Sequence, residues 1–209
     1  MINENKILLA TENLHKAAEL SFLLAQSGLT VLTLRDFPAL RLPPETGATF
    51  RQNAAIKALY GAKESGLLTV ADDSGLAVRH LGGAPGVFSA RFAGEEKDDG
   101  ANNAKLLSLL RGVPEEQRAA AFHCVIAVAH TDRRLFFARG VCCGLILEAP
   151  CGQNGFGYDP LFYMPDRGLS LAQLSREEKN RVSHRAKALQ KALPLILREC
   201  RWPGEAGRP

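Results

Sequence analysis

The sequence predicts an α/β fold of two lobes, and three observations carry that expectation. Short apolar runs of strand character, such as KILLA at Lys6–Ala10 and LLTVA at Leu67–Ala71, alternate with stretches of helical spacing. A chain of 209 residues is long enough to bury a large core. Its 46% apolar and 23% charged content is that of an ordinary globular protein. No repeat, linker or low-complexity stretch divides the chain. Residues 1–200 therefore read as one α/β domain of two lobes, and residues 201–209 as a flexible tail.

Lys6–Ala10 reads as a buried strand, broken by Thr11-Glu12-Asn13. Leu20, Leu23 and Leu24 give Leu14–Gln26 a helical period, Gly28 stops it, and Thr30–Leu34 returns as a strand. This is a βαβ opening. Three prolines make Asp36–Gly47 a loop. Thr49–Ser65 reads as a helix with Ala54, Ala58 and Ala62 on one close-packing face. Leu67–Ala71 is a strand ending at Asp72 and Asp73. Asn102–Leu110 is a helix, Ala119–His130 a strand, and Leu135–Leu147 a strand pair interrupted at Gly140. Gly152–Tyr163 is glycine-rich and aromatic. Ser175–Cys200 is a long helix with its expected break near Pro194.

Composition excludes several function classes. No run approaches the ~18 apolar residues of a membrane span, and MINENKILLA lacks the basic-then-apolar design of a signal peptide. A cytoplasmic protein is expected. The five cysteines are odd in number and form no C-x-x-C, which points to reduced thiols, with Cys142-Cys143 in the core. A net charge of +4 without a basic stripe interleaved with aromatics argues against nucleic acid as a partner.

Four stretches carry chemistry. VADDSGL, Val70–Leu76, sets two aspartates side by side after an apolar run. Asp-Asp-Ser-Gly is good turn chemistry, but paired carboxylates at a strand end also suit magnesium and acid–base work. LLATENLHK opens a helix whose free N–H groups attract anions, with Thr11, Asn13 and Lys16 as added donors; helix capping explains Thr11 and Asn13 equally. In CGQNGFGYDPLF, Gly155 and Gly157 bracket Phe156, so that the ring is held out to stack on a base, or else Phe156 and Tyr158 fill a core. A stacked base contributes ~1–3 kcal/mol. Downstream, EEKNRVSHRAKAL places Lys179, Ser183, His184 and Arg185 on a helix, where a solvated charged face is the simpler account.

Together these segments resemble the inosine triphosphate pyrophosphatase family over nearly the whole chain. The resemblance runs through LAT-x-N-x-x-K at Leu9–Lys16, TF-x-x-NA-x-x-KA at Thr49–Ala58, and ADDSGL-x-V with GGAPG-x-x-SAR-x-AG at Ala71–Gly94. It continues through KLL at Lys105–Leu107, GFGYDPLF at Gly155–Phe162 and EK-x-x-x-SHR at Glu178–Arg185. It implies an elongated α/β fold with a long twisted mixed sheet flanked by helices, two lobes and a central cleft, usually a homodimer. It implies hydrolysis of ITP, dITP or XTP to the monophosphate and pyrophosphate, with magnesium. By the same resemblance Asp73 is the proton acceptor and a metal ligand, supported by Asp72. Thr11, Glu12, Asn13 and Lys16 meet the phosphates, and Ser74 meets the nucleotide. Phe156, Gly157, Tyr158, Asp159 and Lys179 hold base and sugar, while His184 and Arg185 read the 6-oxo edge.

Two positions depart from the family's pattern. Glu12 stands in the phosphate cradle where a small residue is usual, and Gln52 stands where a glutamate metal ligand is expected. A carboxylate repels a triphosphate and an amide is the weaker magnesium ligand. The alternative function is therefore a nucleotide-binding or sensing protein with weakened catalysis.

Overall fold

A computed structural model describes residues 5–200, so the expected tail at 201–209 lies outside the described residues. Seven strands form one mixed sheet: β1 (Lys6–Leu9), β2 (Thr30–Thr33), β3 (Leu68–Val78), β4 (Ala119–Ala129), β5 (Leu135–Ile146), β6 (Phe162–Met164) and β7 (Leu169–Ser170), in the order β2-β1-β3-β4-β5-β6-β7. β1 pairs in parallel with β2 and with β3, whereas β5–β6 and β6–β7 are antiparallel. Five α-helices accompany the sheet: α1 (Leu14–Leu24), α2 (Phe50–Ser65), α3 (Asp99–Leu109), α4 (Arg176–Val182) and α5 (His184–Cys200). No helix among the described residues is long and apolar enough to cross a membrane.

The helices begin where short polar side chains satisfy their first N–H groups. Asn13 accepts from the N–H of His15 and Lys16, Thr49 from that of Gln52, and Asp98 from that of Ala101. Gly66 ends α2 in the left-handed region.

The described residues divide into two compact units, the first comprising residues 5–73, 125–139 and 188–200 and the second residues 74–124 and 140–187. In the first, Ala54, Ala58 and Ala62 pack on Ala10, Ala71, Ala127 and Ala129, as their common face predicts. In the second, Leu76, Leu106, Leu110, Phe122, Ile146, Leu161 and Phe162 share a core that also takes in Cys142 and Tyr158. All five cysteines are free; Cys142 is buried but Cys143 is exposed.

Three element boundaries differ from the sequence-based expectation, each for a physical reason. β3 does not stop at the aspartates but runs through them to Val78, because the charges find partners inside the fold. β5 is one strand rather than two, since Gly140 stays within the extended ladder. The C-terminal helix breaks at Ser183, not at Pro194: Ser183 is extended and its hydroxyl caps α5 by accepting from Ala186 N–H, while Pro194 sits inside α5. A serine between helical stretches is the cap signal that the proline obscured.

Candidate active site

In the first unit, β3 delivers Asp72 and Asp73 to the end of the β1–β3 pair. Successive strand side chains leave the backbone in different directions, so the two adjacent carboxylates meet different partners. Asp72, fully buried, lies 3.3 Å from Lys16 Nζ on α1. Asp73, 5% exposed, takes a hydrogen bond of 3.0 Å from Asn53 Nδ2 on α2. The other end of the Asn53 amide accepts from Gly47 N–H at 2.7 Å and so ties the 45–47 loop to the same place. Glu45 on that loop pairs with Lys57, one turn beyond Asn53 on α2.

Three carboxylates (Glu45, Asp72, Asp73) thus share a largely buried site with two ammonium groups (Lys16, Lys57). Burial pushes the Asp73 carboxyl up to about 6, against the opposing pull of Lys57 and Lys16. Burial works against the Lys57 ammonium as well, but Asp72, Asp73 and Glu45 outweigh it and hold that group above its ordinary value. Glu45 ends below its ordinary value because Lys57 and Lys16 overcome its partial burial. The set carries one more negative charge than positive when all are ionised. It fits a hard divalent cation, which takes oxygen ligands and needs only one or two carboxylates. Among the described residues no three or more His, Cys, Asp or Glu side chains converge closely enough to hold a metal ion by themselves, so an ion here would keep several water ligands.

Gln52 is not part of this group. It is exposed at the start of α2, and its Oε1 accepts from the Thr49 hydroxyl at 3.2 Å. Glu12 is exposed too and lines a groove of about 590 Å³ with Thr11, Arg35 and Arg41. Asn13 is committed to capping α1 through its Oδ1, and Thr11 Oγ1 accepts from Asn13 N–H at 3.3 Å. Of the first stretch, only Lys16 reaches an aspartate.

The second unit gathers the other group. Asp159 and Lys179 are 3% and 5% exposed and pair at 2.5 Å, and the same Asp159 oxygen accepts from Phe156 N–H at 2.9 Å. Lys179 Nζ stands 4.5 Å from the centre of the Phe156 ring and the Arg185 guanidinium 5.6 Å from it. Arg185 donates to Ser74 Oγ at 3.0 Å. His184 stacks on Phe122, ring centres 4.7 Å apart and planes 10° from parallel. The solvated charged face is therefore excluded: Lys179, His184 and Arg185 are all buried. Tyr158 takes the core alternative: its ring is in the core and its hydroxyl donates to Ser89 C=O at 2.9 Å. Gly155, expected to admit a ligand, instead admits Asp159: a Cβ there would meet Asp159 Oδ2 at 2.2 Å.

Sequence reasoning missed Glu45, Asn53 and Lys57. The signal for two of them was present, since Asn53 and Lys57 are four residues apart on one face of α2. Glu45 had none, because it lies in a loop without periodicity.

The Ham1 family model matches residues 7–195. Solved structures of similar shape include the Staphylococcus aureus Ham1 protein (TM-score 0.82, 37% identity, 93% of this chain and 99% of that one). A HAM1 protein from Coxiella burnetii is similar too (TM-score 0.83, 40% identity, 92% and 98%). A dITP/XTP pyrophosphatase of Desulforamulus reducens is 53% identical over 92% of this chain and 96% of its own length. One of Thermus thermophilus is 50% identical, over 92% of both. With its fold, its sequence blocks and these relatives in agreement, the chain belongs to the Ham1 family.

Proposed function

We propose that this chain is a nucleoside triphosphate pyrophosphohydrolase that hydrolyses dITP, XTP and ITP to the monophosphate and pyrophosphate. The observation that carries the mechanism is Asp73, a buried carboxylate with a raised pKa of about 6 beside two ammonium groups and a second acidic loop. A base is most effective when its pKa lies near the working pH. Asp73 takes a proton from water as the oxygen attacks phosphorus and the α–β anhydride bond breaks. Lys16 and Lys57 offset charge on the phosphate chain, and Asn53 fixes the Asp73 carboxylate against rotation. Asp73 and Glu45, with Asp72 in support, would hold magnesium, which when bound supplies electrostatic stabilisation to the phosphate oxygens.

Base selection is assigned to the second unit. Phe156 offers a stacking face, and Arg185 and His184 offer donors to a 6-oxo group, as in hypoxanthine or xanthine. Adenine presents a 6-amino donor there and leaves the donors unpaired, a mismatch that discriminates on the order of 10⁴ in kcat/KM. Glu45 weighs against the sensing alternative, because it supplies a carboxylate without help from Gln52. We further propose magnesium as the ion, a homodimer as the assembly and the cytoplasm as the location.

The test is a panel of dITP, XTP, ITP and ATP with magnesium, with pyrophosphate and orthophosphate read separately. Pyrophosphate release from the 6-oxo nucleotides alone is expected. Binding without release would favour the sensor, and ATP turnover within a few-fold of dITP would overturn the assignment of the base edge.

A further inference from the structure

We propose that Asp99 and Asn103 of α3 are positioning residues for base recognition, acting as a two-point clamp on the Gly157 peptide. This rests on the function proposed above. Asp99 Oδ2 accepts from Gly157 N–H at 2.7 Å, and Asn103 Nδ2 donates to Gly157 C=O at 3.0 Å. The two side chains are four residues apart and leave the same face of α3. One helix therefore grips both polar ends of one loop residue.

Gly157 needs such a grip. Its φ of +62° is a conformation glycine adopts readily but does not prefer over others, so the residue itself does not fix the loop. Yet Phe156, its neighbour, must hold its ring beneath Lys179 and Arg185. On the near side Phe156 is held through its own N–H by Asp159. On the far side α3 bonds both the N–H and the C=O of Gly157. The clamp has a cost that packing alone does not explain. Asn103 Oδ1 is buried with no hydrogen-bond partner, and the donor role of Nδ2 toward a carbonyl forbids flipping the amide. A leucine would avoid that orphan oxygen. We infer that asparagine is kept for the loop, not for the helix.

The experiment compares Asp99→Ala, Asp99→Asn, Asn103→Ala and Asn103→Leu with the parent enzyme under saturating magnesium. Loss of either bond should raise KM for dITP about tenfold, the worth of roughly one net hydrogen bond, with kcat within about twofold. Asp99→Asn keeps an acceptor and should restore the parent KM. Asn103→Leu keeps the branched shape and heavy-atom count of the side chain in a good helix former, so it reads the lost donor if Asn103→Ala fails to fold. Hydrogen exchange at the Gly157 amide, measured without nucleotide, should quicken in Asp99→Ala but not in Asp99→Asn. Unchanged KM and unchanged exchange in folded variants would overturn the clamp. So would an equal loss of kcat and thermal stability in Asp99→Asn. Failure of the parent enzyme to turn over dITP would overturn the function proposed above, and the exchange measurement would then decide the clamp by itself.

Discussion

The two groups of functional side chains are built on opposite electrostatic plans. In the first unit, three carboxylates face two ammonium groups, and burial pushes one carboxylate, Asp73, toward neutrality. In the second, the buried carboxylate is matched: Asp159 is closed by Lys179 and by Phe156 N–H, while the Arg185 guanidinium donates to the neutral Ser74 hydroxyl. An unmatched charge set is poised for chemistry, since it gains by admitting a cation and giving its base a proton to take. A matched set is rigid, and rigidity is what selection of a base requires. The difference teaches that the same kind of buried carboxylate, Asp73 or Asp159, is left open or closed off according to its partners.

The largest expected effect tests the first plan at Asp73. Asp73→Asn should lower kcat by ~10²–10⁴, the usual cost of losing a general base. The same change should stabilise the metal-free protein at neutral pH by about 1–3 kcal/mol, because it removes a buried charge. The sign follows from the shift: the folded-state value lies above the ordinary 3.8, so the native chain holds an extra proton between about 4 and 6. That stabilisation is complete below 3.8 and is lost as pH rises through about 6. Denaturant unfolding of the metal-free parent from pH 4 to 7 should show this decline, and Asp73→Asn should lack it. A variant with more than a tenth of the parent kcat would remove Asp73 as the base.

Breaking the matched set should read out as stability instead. Lys179→Met strands a nearly fully buried carboxylate on Asp159 and should cost about 3–5 kcal/mol by denaturant unfolding. A loss below 1 kcal/mol would mean that Asp159 relaxes to water, and the contrast between the two groups would fail.

The next effect concerns the metal. Glu45→Gln should raise the magnesium concentration for half-maximal activity by at least about tenfold, as a carboxylate gives way to a weaker ligand. Gln52→Ala should leave it unaltered, because that side chain is committed to Thr49. Equal shifts in both variants would return Gln52 to the metal site.

Glu12→Gly should have the smallest effect. Glu12 is exposed and is absent from the charges that act on Asp73, so the magnesium dependence should not move. Its loss should cost only the ~0.3–1 kcal/mol of a negative charge near a helix N-terminus. A raised magnesium requirement would bring Glu12 into the metal site.

By itself the sequence determined the α/β class, the βαβ opening, the alanine face of α2 and the family blocks. All of these rest on local period or local spacing, which the chain states directly. It also marked Asp72, Asp73, Lys16, Phe156, Lys179 and Arg185, because charged or aromatic residues beside glycine or at strand ends stand out against an apolar background. Tertiary structure alone decided the surroundings of each one. Whether Asp-Asp ends a strand or continues it depends on Lys16 and Asn53, which are remote in sequence. Whether Lys179 and His184 face water depends on Asp159 and Phe122. Glu45 became visible only when Asn53 tied its loop to Asp73. Desolvation is a property of everything packed around a group, and no spacing rule in one chain encodes it.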